Sequence, residues 1–495
     1  MTWPLLLAAV LGAGVASVRW LRVAQREHYL PPAVTRFAWR WWNTSAFNQL
    51  LGAVAVFGVI GSFFLEASLA WLGLLAVVGP IGLSWRGRSS KLAWTPRLRR
   101  LAGATGVLVA VFVVWSAILA HPGPAVAAVV ALPRLIDAAA ALALPLERRL
   151  GDKWVAKARA RLAESRARVV AITGSYGKTT TKGYLGHLLT GALATVVTPA
   201  SFNNRMGIAR AINEQLVAGT DVFVAEMGTY GAGEIADLCS IAPPEVAVIT
   251  SIGPVHLERF GSEEAIVAAK AEILAGARVA VLNVDHPLLA ELALSFAGSV
   301  IRCSDSGSAD IEVIDGAVSI EKQSIGRVDR DVFPINLACA IGAARSLGVS
   351  IDHIARRLAD LPGAPHRRQV SESDRGVLII DDTYNSNPAG AKAALETLME
   401  VNGGGRRVVV TPGMVELGDR QRTVNEEFAA HAASQATDLV VVGATNRQAL
   451  VDGAGRRRAL VTVVDSRQKA VEWVRANLEP GDAVLYENDL PDHYP

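Results

Sequence analysis

The sequence predicts an α-helical membrane bundle followed by two α/β domains. The first is a phosphate-loop (P-loop) domain with a parallel sheet and the second is a Rossmann-like C-terminal domain. Hydrophobic residues make up 51% of the 495, and nine of the eleven tryptophans precede residue 120. After residue 168, short β-branched runs alternate with helical patterns, as in α/β proteins. We therefore expect a transmembrane region over residues 1–150, a central domain over 151–362 and a C-terminal domain over 363–495.

Charge and cysteine content argue against nucleic-acid binding, a disulfide framework and a zinc site. The 49 basic and 46 acidic residues leave a net charge of +3, so no strong field would attract nucleic acid, and we expect no nucleic-acid partner. The three cysteines are far apart in the sequence, at Cys239, Cys303 and Cys339. This spacing fits a reducing compartment and argues against both a disulfide framework and a zinc site.

Five apolar runs predict four to five membrane spans. A spanning helix needs about 20 apolar residues, so the first run is short. The fifth is interrupted by Pro133, Arg134 and Asp137, and two interpretations of it stay open: a span in which Arg134 and Asp137 pair, or an amphipathic helix at the membrane surface. A signal peptide is disfavoured because no Lys or Arg precedes the first run. The runs cover residues 3–18, 48–65, 67–85, 101–120 and 125–146.

Arginines between the runs predict the orientation. The connections between the first and second runs and between the third and fourth runs are rich in Arg, whereas the other short connections have neither Lys nor Arg. The positive-inside tendency then places the N-terminus outside and everything after Glu147 in the cytoplasm. The sequence thus predicts a multi-pass protein of the bacterial inner (cytoplasmic) membrane, with membrane lipid as a partner and the α/β domains inside.

The soluble half begins with a basic stretch and continues as a strand–helix series. We interpret residues 154–168 as a solvated helix that links the membrane to the first α/β domain. We place the boundary between the two α/β domains near the turn-rich residues 361–365. Predicted strands lie at 169–173, 221–226, 246–251, 279–285, 376–381, 407–411, 438–443, 459–464 and 482–486.

A glycine-rich loop follows the first of these strands. Residues 173–182 read TGSYGKTTTK and lead into a helical pattern, which is the strand–loop–helix context of a phosphate loop. In such a loop, backbone N–H groups and the helix N-terminus attract phosphates, and Lys178 would reach the β- and γ-phosphates. Ile172 stands where the strict pattern has glycine, so a chance Gly-Lys-Thr in a turn is the alternative.

Further stretches give the chain a recognisable resemblance. Together with the loop, they are similar to the Mur ligase family, the ATP-dependent amide ligases of peptidoglycan precursor synthesis, and most similar to its D-alanyl-D-alanine-adding branch. The resemblance covers residues 168–490. The stretches are SFNNRMGIA (201–209), AEMGTYGAGEI (225–235), ITSIGPVHLERFGSEEAIVAAKAEI (249–273), LNVDHP (282–287), APHRRQV (364–370) and DDTYNSNPAGAKAALETL (381–398).

The resemblance implies a reaction that uses ATP and Mg²⁺. It also implies catalytic roles for Lys178, His256 and Lys270. ATP phosphorylates a carboxylate, and an amine then attacks the acyl phosphate, so cations must hold anions together. Lys178 corresponds to the triphosphate-binding lysine. Thr179 and Glu226 correspond to ligands of a first Mg²⁺, and His256 to a ligand of a second. Lys270 corresponds to a metal-bridging lysine that is carbamylated; the alternative is a surface lysine paired with Glu264 or Glu272.

Other positions match residues that bind the nucleotide or the substrate. Asn336 corresponds to an adenine-reading asparagine, and Arg367 and Asp382 to residues near the phosphates and ribose. The alternatives are a helix-capping Asn and a solvated Arg–Asp pair. The remaining nucleotide-binding positions are Gly174, Ser175, Gly177 and Thr180. Substrate or turn residues are Asn203, Asn204, Tyr384, Asn385 and Asn387.

Departures from the family pattern leave the substrate open. The apolar runs stand where these ligases have a soluble UDP-binding domain, Ser251 replaces an Asn, Pro412–Met414 replaces Gly-Asp-Met, and acidic residues 486–492 replace a basic stretch. We expect a ligase that joins a cell-envelope precursor to an amino acid or dipeptide, with D-alanyl-D-alanine addition to muramoyl-tripeptide as the leading reaction. The alternatives are a ligase for a lipid-linked or polyglutamate-like acceptor, a transport ATPase, and a non-catalytic scaffold.

Overall fold

A computed structural model describes residues 3–85, 87, 92–199, 202–255, 257–329, 332–362, 369–383, 387–400, 405–455, 457–491 and 493–495. The chain forms a helical region, a central α/β domain and a C-terminal α/β domain. The helical region consists of α1 (Trp3–Arg26), α2 (Ala33–Trp42), α3 (Ala46–Phe64), α4 (Ala70–Gly73), α5 (Leu75–Val78), α6 (Pro96–Ile118), α7 (Gly123–Val130) and α8 (Leu132–Ser165).

Within the described residues, three helices are long and apolar enough to cross a membrane: α1, α3 and α6. The helices α7 and α8 meet at a 76° bend and pass the same test only as a pair, which raises the number of candidate spans to four. Helix α1 extends to Arg26, so Arg19 and Arg22 lie on this helix and not in a loop. The sequence-based boundaries of the first run were therefore too short.

The third apolar run does not form a long helix. Its helical part breaks between α4 and α5 and stops at Gly79, ahead of Pro80, because proline cannot donate the next helical hydrogen bond. The guanidinium of Arg19 donates to the carbonyl of Gly79 (2.6 Å), and that of Arg22 to the carbonyl of Ser84 (2.7 Å). The prediction of a helical span over 67–85 is wrong, because buried arginines of α1 bind carbonyls that a helix would have used itself.

Asp137 caps another helix and does not pair with Arg134. Its two carboxylate oxygens accept from the backbone N–H groups of Val34 (3.2 Å) and Thr35 (2.7 Å), at the start of α2. These donors have no partner within their own helix, and a carboxylate suits the positive end of the helix dipole. Arg134 is exposed. The predicted pair is therefore wrong, since a tertiary contact supplies the partner of the buried carboxylate.

Helix α8 runs without a break across the boundary placed at residue 150. Its last three turns are amphipathic: Val155, Ala158 and Leu162 are buried in the core of the central domain. Next to this buried face, Arg161 donates to the carbonyls of Asn213 (2.9 Å) and Leu216 (2.8 Å) in the same domain. The interpretation of 154–168 as a solvated linker is wrong, because this helix packs on the domain that it precedes.

The central domain is built on a sheet with strand order β2-β3-β1-β4-β5-β6-β7-β8-β9. Strands β1 to β7 pair in parallel, and β8 and β9 are added as antiparallel hairpins. The elements are β1 (Arg168–Thr173), α9 (Lys178–Leu189), β2 (Thr195–Val197), α10 (Arg205–Gln215), β3 (Val222–Glu226), α11 (Glu234–Ile241), β4 (Val246–Ile249), α12 (Leu257–Phe260), α13 (Glu263–Ala271), β5 (Val279–Asn283), α14 (Pro287–Ser295), β6 (Ser299–Ser304), β7 (Ile311–Ile314), β8 (Ala317–Ile320), β9 (Gln323–Arg327), α15 (Pro334–Ser346) and α16 (Ile351–Leu358).

The C-terminal domain has a sheet of order β10-β11-β15-β12-β13-β14, in which β10 pairs antiparallel with β11 and the other pairs are parallel. Its elements are β10 (Gln369–Glu372), β11 (Leu378–Asp382), α17 (Pro388–Glu400), β12 (Arg407–Thr411), α18 (Gln421–Gln435), β13 (Asp438–Val442), α19 (Arg447–Ala454), β14 (Leu460–Val464), α20 (Arg467–Asn477) and β15 (Ala483–Glu487). The predicted α/β architecture with parallel sheets is confirmed.

Candidate active site

The glycine-rich loop joins the end of β1 to the start of α9. Gly177 has φ +77°, a backbone conformation that favours glycine. A Cβ atom on Gly177 would collide with the side chain of Asn336, and one on Gly174 with Thr250 Oγ1. The predicted strand–loop–helix context is therefore present, and both glycines occupy positions where a larger side chain would not fit.

The loop is anchored to the residues that follow β4. The carbonyl of Ser251 accepts from the Ser175 N–H (2.7 Å), while Ser251 Oγ accepts from the Tyr176 N–H and donates to the Tyr176 carbonyl, both at 3.0 Å. Ser175 Oγ contacts both backbone groups of Gly253, at 3.1 Å each. Ser251, which stands in place of the family's asparagine, thus supports the phosphate loop.

Glu226 lies beside the loop and accepts hydrogen bonds from several polar side chains. It is the last residue of β3, and the carboxyl ends of β1, β3 and β4 meet at one edge of the parallel sheet. Thr179 Oγ1 donates to Glu226 Oε2 (2.9 Å), and Asn203 Nδ2 donates to Oε1 (3.1 Å). Lys178 Nζ donates to the carbonyls of Gly174 (2.7 Å) and Ser175 (3.3 Å). The structure therefore brings Lys178, Thr179 and Glu226 together.

Lys182 is a site residue that sequence reasoning missed. Its ammonium lies 2.9 Å from Glu226 Oε2, and both side chains are almost completely buried. Residues three apart on a helix share a face, so the position of Lys182 relative to Thr179 on α9 was the available signal.

Removing Lys182 would leave the Glu226 carboxylate buried without its cation. We expect Lys182→Ala to lower the free energy of unfolding by about 3–5 kcal/mol, the usual cost of breaking a buried pair from one side. Chemical denaturation of the purified protein measures this, with the exposed Lys157→Ala as the control. Equal stability of the two variants would show that Glu226 does not depend on Lys182.

Lys270 is buried near the phosphate loop. On α13, it is only 3% exposed, and no described carboxylate lies within 4 Å of its ammonium group. Burial, and secondly the charge of Lys178, lower the pKa of Lys270 well below its usual value. Glu272 instead accepts from the N–H groups of Gly233 and Ala236. The alternative of a surface lysine paired with Glu264 or Glu272 is therefore wrong.

The residues present fit a magnesium–nucleotide complex. The Thr179 hydroxyl and the Glu226 carboxylate are hard oxygen donors, which Mg²⁺ prefers. An added Cβ atom would collide with Asn336 at Gly177 and with Thr250 at Gly174, so both positions require glycine, and Lys178 supplies positive charge at the start of α9. Among the described residues, no group of three or more His, Cys, Asp or Glu side chains lies close enough to hold a metal ion, so a metal here would need phosphate and water oxygens besides the Thr179 hydroxyl and the Glu226 carboxylate.

Some of the remaining predicted site residues lie outside the described part of the chain, and the others are buried close to the ends of helices or strands. His256 and Arg367, like Tyr384 and Asn385, lie outside the described residues. Asn336 is buried at the third position of α15, against the loop at Gly177, so it is not the cap of that helix. Asp382 is buried at the carboxyl end of β11, and Thr180 is buried in the first turn of α9.

Some predicted substrate residues have local structural roles. The side chain of Asn204 caps α10 by accepting from the Gly207 N–H (3.0 Å), and that of Asn387 accepts from the Gly390 N–H (2.9 Å). These contacts agree with the turn alternative. The acidic residues near the C-terminus are also engaged: buried Glu487 accepts from Thr411, and Asp489 pairs with Arg467. Glu487 and Asp489 therefore say little about the substrate.

Comparison with known proteins identifies the family to which the two α/β domains are similar. Residues 172–336 match the Mur ligase middle domain, and residues 366–486 match the Mur ligase glutamate ligase domain. The UDP-N-acetylmuramoyl-tripeptide–D-alanyl-D-alanine ligase of Mycobacterium tuberculosis is 32% identical over 361 residues, which are 64% of this chain and 69% of that protein.

Solved structures show the same likeness. MurF from Acinetobacter baumannii superposes with a TM-score of 0.60 at 26% identity, covering 68% of this chain and 77% of that one. MurF ligase from Thermotoga maritima, in complex with ADP, gives a TM-score of 0.59 at 28% identity, covering 68% and 80%. The α/β fold and its phosphate loop are those of an ATP-dependent peptide ligase. The chain belongs to the Mur ligase family.

Proposed function

We propose that this chain is a membrane-anchored, ATP- and Mg²⁺-dependent amide ligase that adds D-alanyl-D-alanine to a muramoyl-tripeptide precursor. The observation that carries the proposal is the cluster of Lys178, Thr179 and Glu226 at a loop of Mur ligase type. The names of the M. tuberculosis and A. baumannii relatives support the choice of substrates, because those proteins match 64% and 68% of this chain.

The reaction forms one amide bond at the expense of one ATP. A carboxylate oxygen of the precursor attacks the γ-phosphorus, the bond to the β,γ-bridging oxygen breaks, and ADP leaves. The amine of the dipeptide then attacks the acyl carbon, loses a proton to solvent, and expels inorganic phosphate. Lys178 and the loop N–H groups would stabilise the charge on the phosphoryl oxygens during the first step. Asn336 and Asp382 are the proposed nucleotide contacts on the neighbouring elements.

A bound Mg²⁺ would neutralise phosphate charge, with Thr179 and Glu226 as protein ligands. We include His256 as a second-metal ligand on the resemblance alone. Lys270 is proposed as a carbamate, which is an anionic metal ligand formed when an uncharged amine takes up CO₂ and releases a proton. Its burial and lowered pKa support this assignment, because only the uncharged amine reacts.

The helical region would anchor the enzyme in the membrane. Large apolar side chains project from the outer faces of the three long helices, including Leu7, Phe57 and Val111, each more than half exposed. Exposed apolar surface of this extent is typical of a lipid contact. The C-terminal end of α1 and the N-terminal end of α6 lie together, since Gln25 bonds with Ala93 in both directions. Both α/β domains contact this same end, the central domain through Tyr230 and Arg259 and the C-terminal domain through His493, which supports an outside N-terminus with the ligase in the cytoplasm.

Labelling with an impermeant thiol reagent tests this orientation. The native cysteines Cys239, Cys303 and Cys339 are all buried, so the background is low. In intact cells, we expect a cysteine introduced at position 2 to react and one at position 150 to react only after permeabilisation. Reaction at position 150 in intact cells would contradict the topology, because ATP is confined to the cytoplasm.

The helical region also favours a second candidate function. Apolar helices that approach the ligase would hold a lipid-linked acceptor at the membrane surface, whereas a soluble UDP-linked acceptor needs no such helices. A lipid-linked or polyglutamate-like acceptor is therefore the second candidate, after the muramoyl-tripeptide. A transport ATPase is disfavoured, because transport needs no family-type site with Lys270 buried beside the loop.

A panel of acceptors separates these candidates. Purified full-length protein in detergent or nanodiscs is incubated with ATP, Mg²⁺ and D-alanyl-D-alanine or single amino acids. The acceptors are UDP-muramoyl-tripeptide, its lipid-linked counterpart and polyglutamate. We expect ADP together with an amide of UDP-muramoyl-pentapeptide mass. Amide formed only from the lipid-linked acceptor would replace the leading proposal with the second one, and ATP hydrolysis without any amide would contradict both.

A further inference from the structure

Both charged residues of α12 are paired with the helical region. The carboxylate of Glu258 accepts from Arg36 (3.3 Å) and from Arg40, whose Nη2 contacts both carboxylate oxygens at 2.7 and 2.8 Å. Arg259 donates to Glu27 at 2.9 Å, and the side chains of this second pair are mostly buried. The helical region therefore binds this short helix through three ion pairs on two adjacent residues.

Residues that precede α12 in the sequence anchor the phosphate loop. Thr250, Ser251 and Gly253 make the hydrogen bonds that anchor Ser175 and Tyr176. We call residues 250–260 the bridging segment. Its described residues, 250–255 and 257–260, contact the phosphate loop at the start of the segment and the helical region at its end. A displacement of α12 would thus act on a segment that also supports the ATP site.

Glu27 contacts the C-terminal domain as well as α12. We call the contacts of Glu27 with Arg259 and His493 the junction. Its Oε2 accepts from Arg259, and its Oε1 lies 2.8 Å from Nε2 of His493. The backbone carbonyl of His493 accepts from the indole N–H of Trp41 (2.8 Å), and its ring packs against Phe37 with centroids 4.5 Å apart. One buried carboxylate of the helical region therefore contacts both α/β domains.

The partners of Glu27 keep it ionised despite its burial. Burial alone would raise its pKa, but the hydrogen bond and charge of His493, and then the charge of Arg259, lower the pKa below the usual value for Glu. Exposed ion pairs contribute little to stability, whereas breaking a buried pair from one side is costly. Breaking the mostly buried Glu27–Arg259 pair from one side is therefore expected to be costly, which favours a fixed position for α12.

We propose that Glu27, Arg36 and Arg40 of the helical region are positioning residues for ligation: they hold the bridging segment in its correct position against the phosphate loop. The helical region then acts as part of the catalytic apparatus as well as an anchor. The inference rests on the proposed function at one point, because the segment includes position 256, the proposed metal ligand. Small displacements of a catalytic group, of about 1 Å, lower turnover by about 10²-fold.

Charge reversal with rescue tests the proposal in the full-length enzyme. Glu258→Arg faces two arginines, so we expect kcat to fall by about 10²-fold with little change in the KM for ATP. The triple variant Arg36→Glu, Arg40→Glu, Glu258→Arg restores opposite charges and should recover most of kcat. Glu27→Gln, which keeps the side-chain shape, is a second and milder disruption. Arg210→Gln, which removes an exposed pair with Glu214 on α10, is the matched control.

Hydrogen–deuterium exchange supplies a readout that needs no acceptor. We expect residues 250–260 to exchange faster in Glu258→Arg and Glu27→Gln than in wild type, to return to the wild-type rate in the triple variant, and to be unchanged in Arg210→Gln. Unaltered exchange and kcat in Glu27→Gln and Glu258→Arg would overturn the proposal, as would a triple variant that folds but stays inactive. Absence of turnover in wild type would instead count against the proposed substrates, because the exchange result stands without them.

Discussion

Replacing Lys178 by alanine is expected to lower ligase turnover by about 10²–10³-fold, the usual loss when a group that stabilises transition-state charge is removed. Lys178 is the only cation among residues 174–178 and begins α9. Its ammonium now bonds to loop carbonyls 2.7 and 3.3 Å away, from where it would turn to the phosphoryl oxygens. Single-turnover formation of the amide product at saturating ATP measures the effect.

Two controls separate a catalytic loss from a folding defect. Membrane insertion and the unfolding midpoint of Lys178→Ala should match those of wild type, and the exposed Lys157→Ala should keep full activity. Ligation by Lys178→Ala at nearly the wild-type rate would contradict the assignment of the loop. Weaker ATP binding with a normal maximal rate would restrict Lys178 to binding.

Lys270→Ala is expected to be nearly inactive and to regain activity with acetate or formate. If Lys270 is a carbamate, its role is that of an anionic metal ligand, which alanine cannot supply. Because Lys270 is buried, its removal leaves a cavity beside the loop that a small carboxylate can enter. Wild-type activity should also fall when CO₂ is stripped from the buffer and return when bicarbonate is added. Amide product is measured across a series of carboxylates of increasing size.

The size series is the internal control for this experiment. Rescue should decline from formate to bulkier acids, since the cavity has the dimensions of one side chain, whereas a general salt effect would not depend on size. Full activity of Lys270→Ala without any additive would show that the lysine is dispensable. An inactive variant that no carboxylate restores would contradict the carbamate.

The parts of the fold that were predictable carry strong local patterns. Runs such as Val222–Glu226 and Arg407–Thr411 are β-branched and buried on both sides of a parallel sheet, so each stands out as a strand. Strands β6 to β9, by contrast, were missed. Several of their residues are polar or partly exposed, and three of these strands, β7, β8 and β9, form two antiparallel pairs at one edge of the sheet, where burial is incomplete.

Within the helical region, composition predicted apolar segments but not their internal structure. Residues 67–85 are as apolar as a spanning helix, and hydropathy alone does not reveal that Arg19 and Arg22 bind carbonyls near Gly79 and Ser84. The Arg134–Asp137 pair failed for the same reason: spacing along one helix does not report on the neighbouring helix that supplies the real partner.

At the site, the local motif was predictable and the tertiary contacts were not. The order of Gly174, Gly177 and Lys178 within a strand–loop–helix pattern is contained in ten consecutive residues. The junction of Glu27 with Arg259 and His493 joins positions more than 200 residues apart, and each residue alone is typical of a solvated surface. Only the packing of three parts of the chain makes this junction visible.

The origin of the oxygen atoms in the released phosphate tests the central claim, that this chain activates a carboxylate with ATP. The acceptor is prepared with ¹⁸O in the reacting carboxylate and incubated with wild-type enzyme, ATP, Mg²⁺ and the amine in unlabelled water. The proposed reaction transfers one carboxylate oxygen to phosphorus, so the inorganic phosphate should carry one ¹⁸O, and the amide should retain the other. Phosphate without ¹⁸O, released by attack of water on ATP, would contradict the claim.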